Sequence, residues 1–259
     1  MNKNRTKKIT FGGLMIALVF VTTFSIKIPV PFTQGYIHAG DSMIFIAAIL
    51  LGWKYGALAG GVGSALADLV GGYANWILPT LIIKTIMGAL VGWIAKDIDV
   101  RNNNTKLILS VFMAFFWLGL TSILRNVIAK SITASSSHLL GEIDGINTME
   151  ELLILGQKVQ DQLFWASILI PVVIFLLSIY LTRIDKRLFT MDQLLGMLIA
   201  GLWMVTGYYV AAGIMYGSFI VPIFSIPWNI VQFTIGLVIA YFIIFALKKT
   251  PIIKHLEDI

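Results

Sequence analysis

Four ionisable residues sit where an apolar chain has least use for them. His38 and Asp41 lie in GYIHAGD (35–41), Asp68 closes GALAGGVGSALAD (56–68), and Lys84 interrupts LPTLIIKTIMGALVGW (78–93). If the Asp68 helix leaves one membrane face near residue 55, its carboxylate lies about 20 Å up a core roughly 30 Å thick, where a bare charge costs several kcal/mol. Lys84 stands about 10 Å below the opposite end of an apolar run that starts at 77. The depths match, so an Asp68–Lys84 ion pair is predicted. It could lock two helices or floor a ligand site. Asp41, followed by SMIFIAAILL, reads as a helix N-cap. His38 lacks the second histidine that a metal site at HExxH spacing would supply, so no metal is expected.

Other chemistry is excluded by what the chain lacks. It has no cysteine, hence no thiol nucleophile or thiolate metal site. It has no GKS or GKT phosphate loop and no GxSxG elbow. An intramembrane hydrolase built on Asp68 would need a second acid at the same depth, and Asp41 is placed higher. No enzyme activity and no cofactor are expected.

The elements that must position these groups are apolar helices. Of 259 residues, 58% are hydrophobic and 12% charged, and apolar runs fall near 9–28, 41–53, 55–73, 77–95, 107–129, 162–182, 193–214 and 226–247. That pattern predicts about eight transmembrane helices in a single membrane domain, the second short and tilted or partly re-entrant. The basic start MNKNRTKK carries no small-residue cleavage site and reads as the head of a retained first helix. Most of the 19 basic residues fall at alternate ends of the segments, which places both termini and those ends in the cytoplasm. The net charge of +6 is topology signal and needs no nucleic acid. The stretch 130–161, with Glu142, Asp144, Glu150 and Glu151, becomes an outer loop whose MEELLILGQKVQDQL portion has the spacing of a short amphipathic surface helix.

Residues 29–41 then form an outer loop over the same end of the bundle, as a lid or wall. Tyr73, Asn75 and Trp76 close the third helix there. Tyr208, Tyr209 and Tyr216, then Trp228, Asn229 and Gln232, frame the last two. Gly56, Gly60, Ser64 and Asp68 fall four apart on one face, a small-residue stripe that permits close helix approach.

GYIHAGD, GALAGGVGSALADLVGGY and LPTLIIKTIMGALVG resemble the substrate-binding S component of an energy-coupling factor (ECF) vitamin transporter, of the riboflavin-type group. The resemblance covers about 8–98 and resumes over 194–248, where VTGYYVAAGIMYG and PWNIVQFTIGLVIA resemble the family's last two helices. It implies an all-α membrane protein, a six-helix S-component-like bundle with no catalysis of its own. The ligand would be a vitamin or vitamin precursor held near the outer side, and the partners a membrane T component and two cytoplasmic ATPases. The family's docking face of small residues on the first helix would fall on Gly13 and Ala17. Residues 100–190 depart from the six-helix pattern as an inserted helical hairpin with an outer loop, where Arg125, Asn126 and Lys130 could add ligand contacts.

On this reading Tyr36, His38 and Asp41 shape the lid. Asn75, Trp76, Lys84, Asn229 and Gln232, with Tyr208 beside them, contact the ligand, and Asp68 orders Lys84. Pyridoxine, a thiamine precursor, pantothenate and cobalamin remain open as ligands. Trp76 would suit a flat heterocycle and Lys84 a polar or anionic tail. The alternative is a stand-alone proton-coupled secondary transporter of a small heterocyclic metabolite, in which Asp68 and Lys84 exchange protons.

Overall fold

The computed structural model describes residues 3–29, 35–97, 103–134, 140, 146–183 and 190–250. Among the described residues the chain forms eight α-helices and one two-stranded ladder. The helices are α1 (Lys3–Ser25), α2 (Gly40–Leu51), α3 (Trp53–Gly71), α4 (Ile77–Asp97), α5 (Asn103–Ala134), α6 (Met149–Arg183), α7 (Met191–Tyr216) and α8 (Ile226–Lys248). The ladder joins β1 (Ile28–Pro29) and β2 (Tyr36–Ile37), antiparallel with Pro29 opposite Tyr36. Among the described residues four stretches are long and apolar enough to cross a membrane: Thr6–Ser25, Ala74–Ala95, Asp192–Tyr216 and Val221–Leu247. The fold is all-α and of membrane type, as the apolar runs predict.

Backbone chemistry explains the joints. Gly52, at φ 86°, is the single residue between α2 and α3, and only glycine enters that region without strain. Gly72, at φ 84°, caps α3 with its N–H donated to Asp68 and Leu69 carbonyls, a left-handed C-cap. α6 and α7 each begin with a capping box: Thr148 with Glu151 and Thr190 with Gln193.

The stripe on α3 does what its spacing predicts. A Cβ on Gly60 would lie 2.6 Å from the Lys84 carbonyl oxygen, and one on Gly88 would lie 2.1 Å from the Gly56 oxygen. α3 and α4 therefore pack backbone on backbone, the contact that substitutes for a hydrophobic drive in lipid. α2 is short, as expected, and packs against α1, α3, α4 and α8 in the middle of the bundle.

The inserted segment is a pair of long helices, α5 and α6, packed on each other and reaching the core through α8. Trp117 of α5 meets Phe233 of α8 edge-on with centroids 6.5 Å apart. The expected short surface helix is a correction: MEELLILGQKVQDQL is the first part of continuous α6, which runs 35 residues through Pro171. Its amphipathic spacing is real, since Leu152, Leu155, Val159 and Leu163 are buried while Leu153 and Ile154 are exposed. The buried stripe continues into the apolar run, so no break in the helix is needed. Glu142 and Asp144 lie outside the described residues.

Candidate functional site

The ends of α3, α4, α7 and α8 and the β1–β2 hairpin line a cavity of about 60 Å³. Tyr36, Tyr73, Trp76, Tyr208 and Tyr216 line it, together with His38, Thr23, Ser64, Asp68, Thr80, Asn229 and Gln232. The rings form a near-continuous wall. Tyr36 and Tyr73 have centroids 4.6 Å apart, Trp76 and Tyr208 5.7 Å, Trp76 and Tyr216 6.5 Å. The spacings are those of mutually packed aromatics.

Asp68 is 4% exposed and takes a hydrogen bond at Oδ1 from the Tyr36 phenol, at 2.7 Å. The Thr80 hydroxyl, which accepts from Tyr208 at 3.2 Å, stands near the same carboxylate. Asp68 Oδ2 has no hydrogen-bond partner. Tyr36 belongs to β2, so the carboxylate on α3 also holds the hairpin closed over the cavity.

The predicted Asp68–Lys84 pair does not form, which is the main correction to the sequence reading. Lys84 instead donates to Asp41 Oδ1 in an ion pair whose side chains are both fully buried. Gln232 donates from Nε2 to Asp41 Oδ2 at 2.9 Å, and the Met204 sulfur lies 3.0 Å from Lys84 Nζ. Asp41 is not an N-cap either. Ala39 holds that position without a side-chain cap bond, and Asp41, one residue into the helix, turns inward to α4 and α8. Gly236 makes this possible, because a Cβ there would sit 2.9 Å from Asp41 Cβ. Asp41 and Lys84 therefore lie beneath the cavity and not in its lining. Tyr208, which lines the cavity, has its ring centroid 5.4 Å from Lys84 Nζ.

Gln232 joins the two levels. While its amide nitrogen serves Asp41, its Oε1 accepts the backbone N–H of His38 at 3.3 Å. His38 Nδ1 accepts from the Gly40 backbone at 3.1 Å, which requires an unprotonated Nδ1. Burial, reinforced by the Lys84 cation, holds this imidazole down to about 3.

Of the residues expected to contact ligand, Tyr36, His38, Asp68, Trp76, Tyr208, Asn229 and Gln232 line the cavity. Asn75 is exposed in the 3₁₀ turn Ala74–Trp76 and does not. Arg125, Asn126 and Lys130 do not line it either; Arg125 lies over the Phe164 ring, 5.2 Å from its centroid. Trp228 lines a separate apolar groove between α6 and α8. Sequence reasoning missed Thr23 and Thr80. A threonine in an apolar helix ordinarily bonds its own i−4 carbonyl, and nothing local marks these two as different. On α1, Gly13 and Ala17 are exposed, and a Cβ on Gly13 would meet nothing within 4 Å.

The chain is similar in sequence to known transport proteins. A family model described as "ECF-type riboflavin transporter, S component" matches residues 3–143 and 154–249. An uncharacterized protein of Pyrococcus woesei is 53% identical over 78 residues, 30% of this chain and 52% of that protein. The chain thus spans about half the length of that relative. The thiamine precursor transporter HmpT of Lactococcus lactis is 33% identical over 93 residues, 36% of this chain and 56% of that protein. A UPF0397 protein of Streptococcus agalactiae is 24% identical over 135 residues, 52% of this chain and 70% of that protein. No solved structure matches the chain.

Proposed function

We propose, for a chain that belongs to the family of ECF-type riboflavin transporter S components, that it is the membrane subunit that captures a vitamin or vitamin precursor from outside the cell. The observation that carries this reading is the aromatic cavity, closed by a two-strand hairpin that is itself bonded to a membrane-depth carboxylate. Such a site buries a small flat molecule, which aromatic faces and a few polar groups orient. The name of the Lactococcus relative, a thiamine precursor transporter, supports a ligand of that class. Both termini lie in the cytoplasm on this reading, by the distribution of basic residues, and the cavity opens outward.

Delivery is assigned to a T component and two ATPases that dock on α1. Its exposed face carries Gly13 and Ala17 beside the outward-facing Leu14 and Val21. A partner helix could approach the backbone there. The stand-alone proton-coupled alternative rested on an Asp68–Lys84 exchange pair, and Lys84 is committed to Asp41.

The test is to purify the chain alone, identify by mass spectrometry any small molecule it retains, and titrate that compound against tryptophan fluorescence. A retained vitamin-class compound supports capture. Proton-driven uptake by the isolated chain in vesicles, without ATPases, overturns it. Replacing Gly13 and Ala17 by Leu is expected to leave binding unchanged and to abolish ATP-dependent uptake in the assembled transporter. Loss of binding would remove the docking role from this face.

A further inference from the structure

Three polar atoms on residues that line the cavity are left without a partner by the fold. Thr23 Oγ1, Ser64 Oγ and Asp68 Oδ2 are each buried without a hydrogen-bond partner, and all three residues line the cavity. Their residues are 1%, 0% and 4% exposed. Elsewhere in these helices hydroxyls are satisfied locally. Thr22, Thr121, Thr206 and Thr234 each donate to the carbonyl four residues back, at 2.7 to 2.9 Å. Thr23, adjacent to Thr22, does not. A buried polar group without a partner costs about 1–3 kcal/mol, so three of them facing one cavity mark the surface a ligand completes.

The charge balance of the lining is equally specific. Among the described residues no Lys or Arg lines the cavity, and Lys84 is paired with Asp41. Lys27 is held over the Phe24, Tyr36 and Tyr73 rings, 4.3 to 5.3 Å from their centroids, outside the lining. The free acceptor is a carboxylate oxygen. A ligand carboxylate or phosphate placed here would face Asp68 with no lining cation to offset the repulsion. A donor-bearing or cationic ring gains from both the carboxylate and the surrounding aromatic faces.

Resting on the capture reading above, we infer that the cargo is a small flat nitrogen heterocycle whose amino or ring N–H edge meets Asp68 Oδ2, Ser64 and Thr23. It carries no carboxylate or phosphate. This removes the anionic half of the expectation from sequence, in which Lys84 received a polar or anionic tail.

The full chain in lipid nanodiscs is titrated, by tryptophan fluorescence, with three flat probes of similar size. These are 2,4-diaminopyrimidine, its 2,4-dimethoxy analogue without N–H donors, and nicotinate as the anion. The diamino compound is expected to bind at least about 10-fold more tightly than either of the others. Asp68→Asn should weaken the diamino compound about 100-fold, and Thr23→Val or Ser64→Ala about 3- to 10-fold. Thermal melting of each variant confirms that it is folded. Thr23→Val, which keeps the side chain's shape, decides the matter should Asp68→Asn not fold. Nicotinate or the dimethoxy compound binding as tightly as the diamino compound overturns the inference, as does no binding of the diamino compound or an affinity that the variants leave unchanged. Capture is judged separately: a carboxylate-bearing vitamin retained through purification leaves that reading standing while this one falls.

Discussion

Asp41 and Asp68 are both buried carboxylates in one helical bundle, and the fold treats them in opposite ways. Asp41 has its charge met by Lys84 and its second oxygen met by Gln232, and neither member of the ion pair is exposed. Asp68 has one oxygen tied to the hairpin by Tyr36 and the other left bare in a cavity. A completed network rigidifies the helices that carry it, and an incomplete one waits for a partner. Stability belongs to the lower site and recognition to the upper, although they share the amide of Gln232.

The largest expected effect breaks the lower site. Lys84→Met strands Asp41 in the core and should cost about 3–5 kcal/mol, read as a collapse of folded yield and melting temperature. Asp41→Asn in the same chain should restore most of both. If Lys84→Met instead melts normally and only binding falls, the lysine belongs to the ligand site and the division fails.

At the upper site the expected pattern is inverted. Asp68→Asn should lose about 100-fold in affinity with little change in melting temperature, because the asparagine carbonyl still accepts from Tyr36. Tyr36→Phe removes one bond to Asp68 and should weaken binding about 5- to 10-fold, chiefly by faster dissociation as the hairpin loosens. A melting shift as large as that of Lys84→Met would place Tyr36 with the structural groups.

The smallest effect concerns acid. His38 is held neutral down to about 3 against an ordinary value of 6.5. Between those values the unfolded chain binds the proton and the folded chain does not. The contribution is fully present above 6.5 and declines as pH falls toward 3. Melting temperature should therefore drop modestly from pH 7 to about pH 5, and His38→Gln should flatten that slope. An unchanged slope would mean that His38 is not the group responsible.

Much of this was legible in the residues. Apolar run lengths place the helices, and the four-residue stripe on α3 places the backbone contact with α4. The aromatic and amide residues near the ends of α4, α7 and α8 mark one end of the bundle as a site. What depth along a helix cannot give is rotation about its axis. Asp68 and Lys84 match in height but point to different neighbours, while Asp41 looked satisfied at a helix start because aspartate so often caps there. The free hydroxyls of Thr23 and Ser64 were illegible for a related reason. Whether a helical hydroxyl folds back on its own turn or faces a cavity depends on the neighbouring helix. The reach of α6 was hidden because its amphipathic and apolar halves share one buried stripe.

Gln232 leaves one more consequence, for which side chains position 232 can tolerate. Its carbonyl end accepts from the hairpin backbone and its amino end donates to Asp41, so the residue needs a donor and an acceptor on one stem, in a fixed order. Glutamate would lose the donor and set a second acid against Asp41, leucine would abandon both partners, and asparagine is one methylene short. Few positions in an apolar helix have so narrow an alphabet. A chain that shared this bundle but varied freely at 232 would have to hold its hairpin down by some other means.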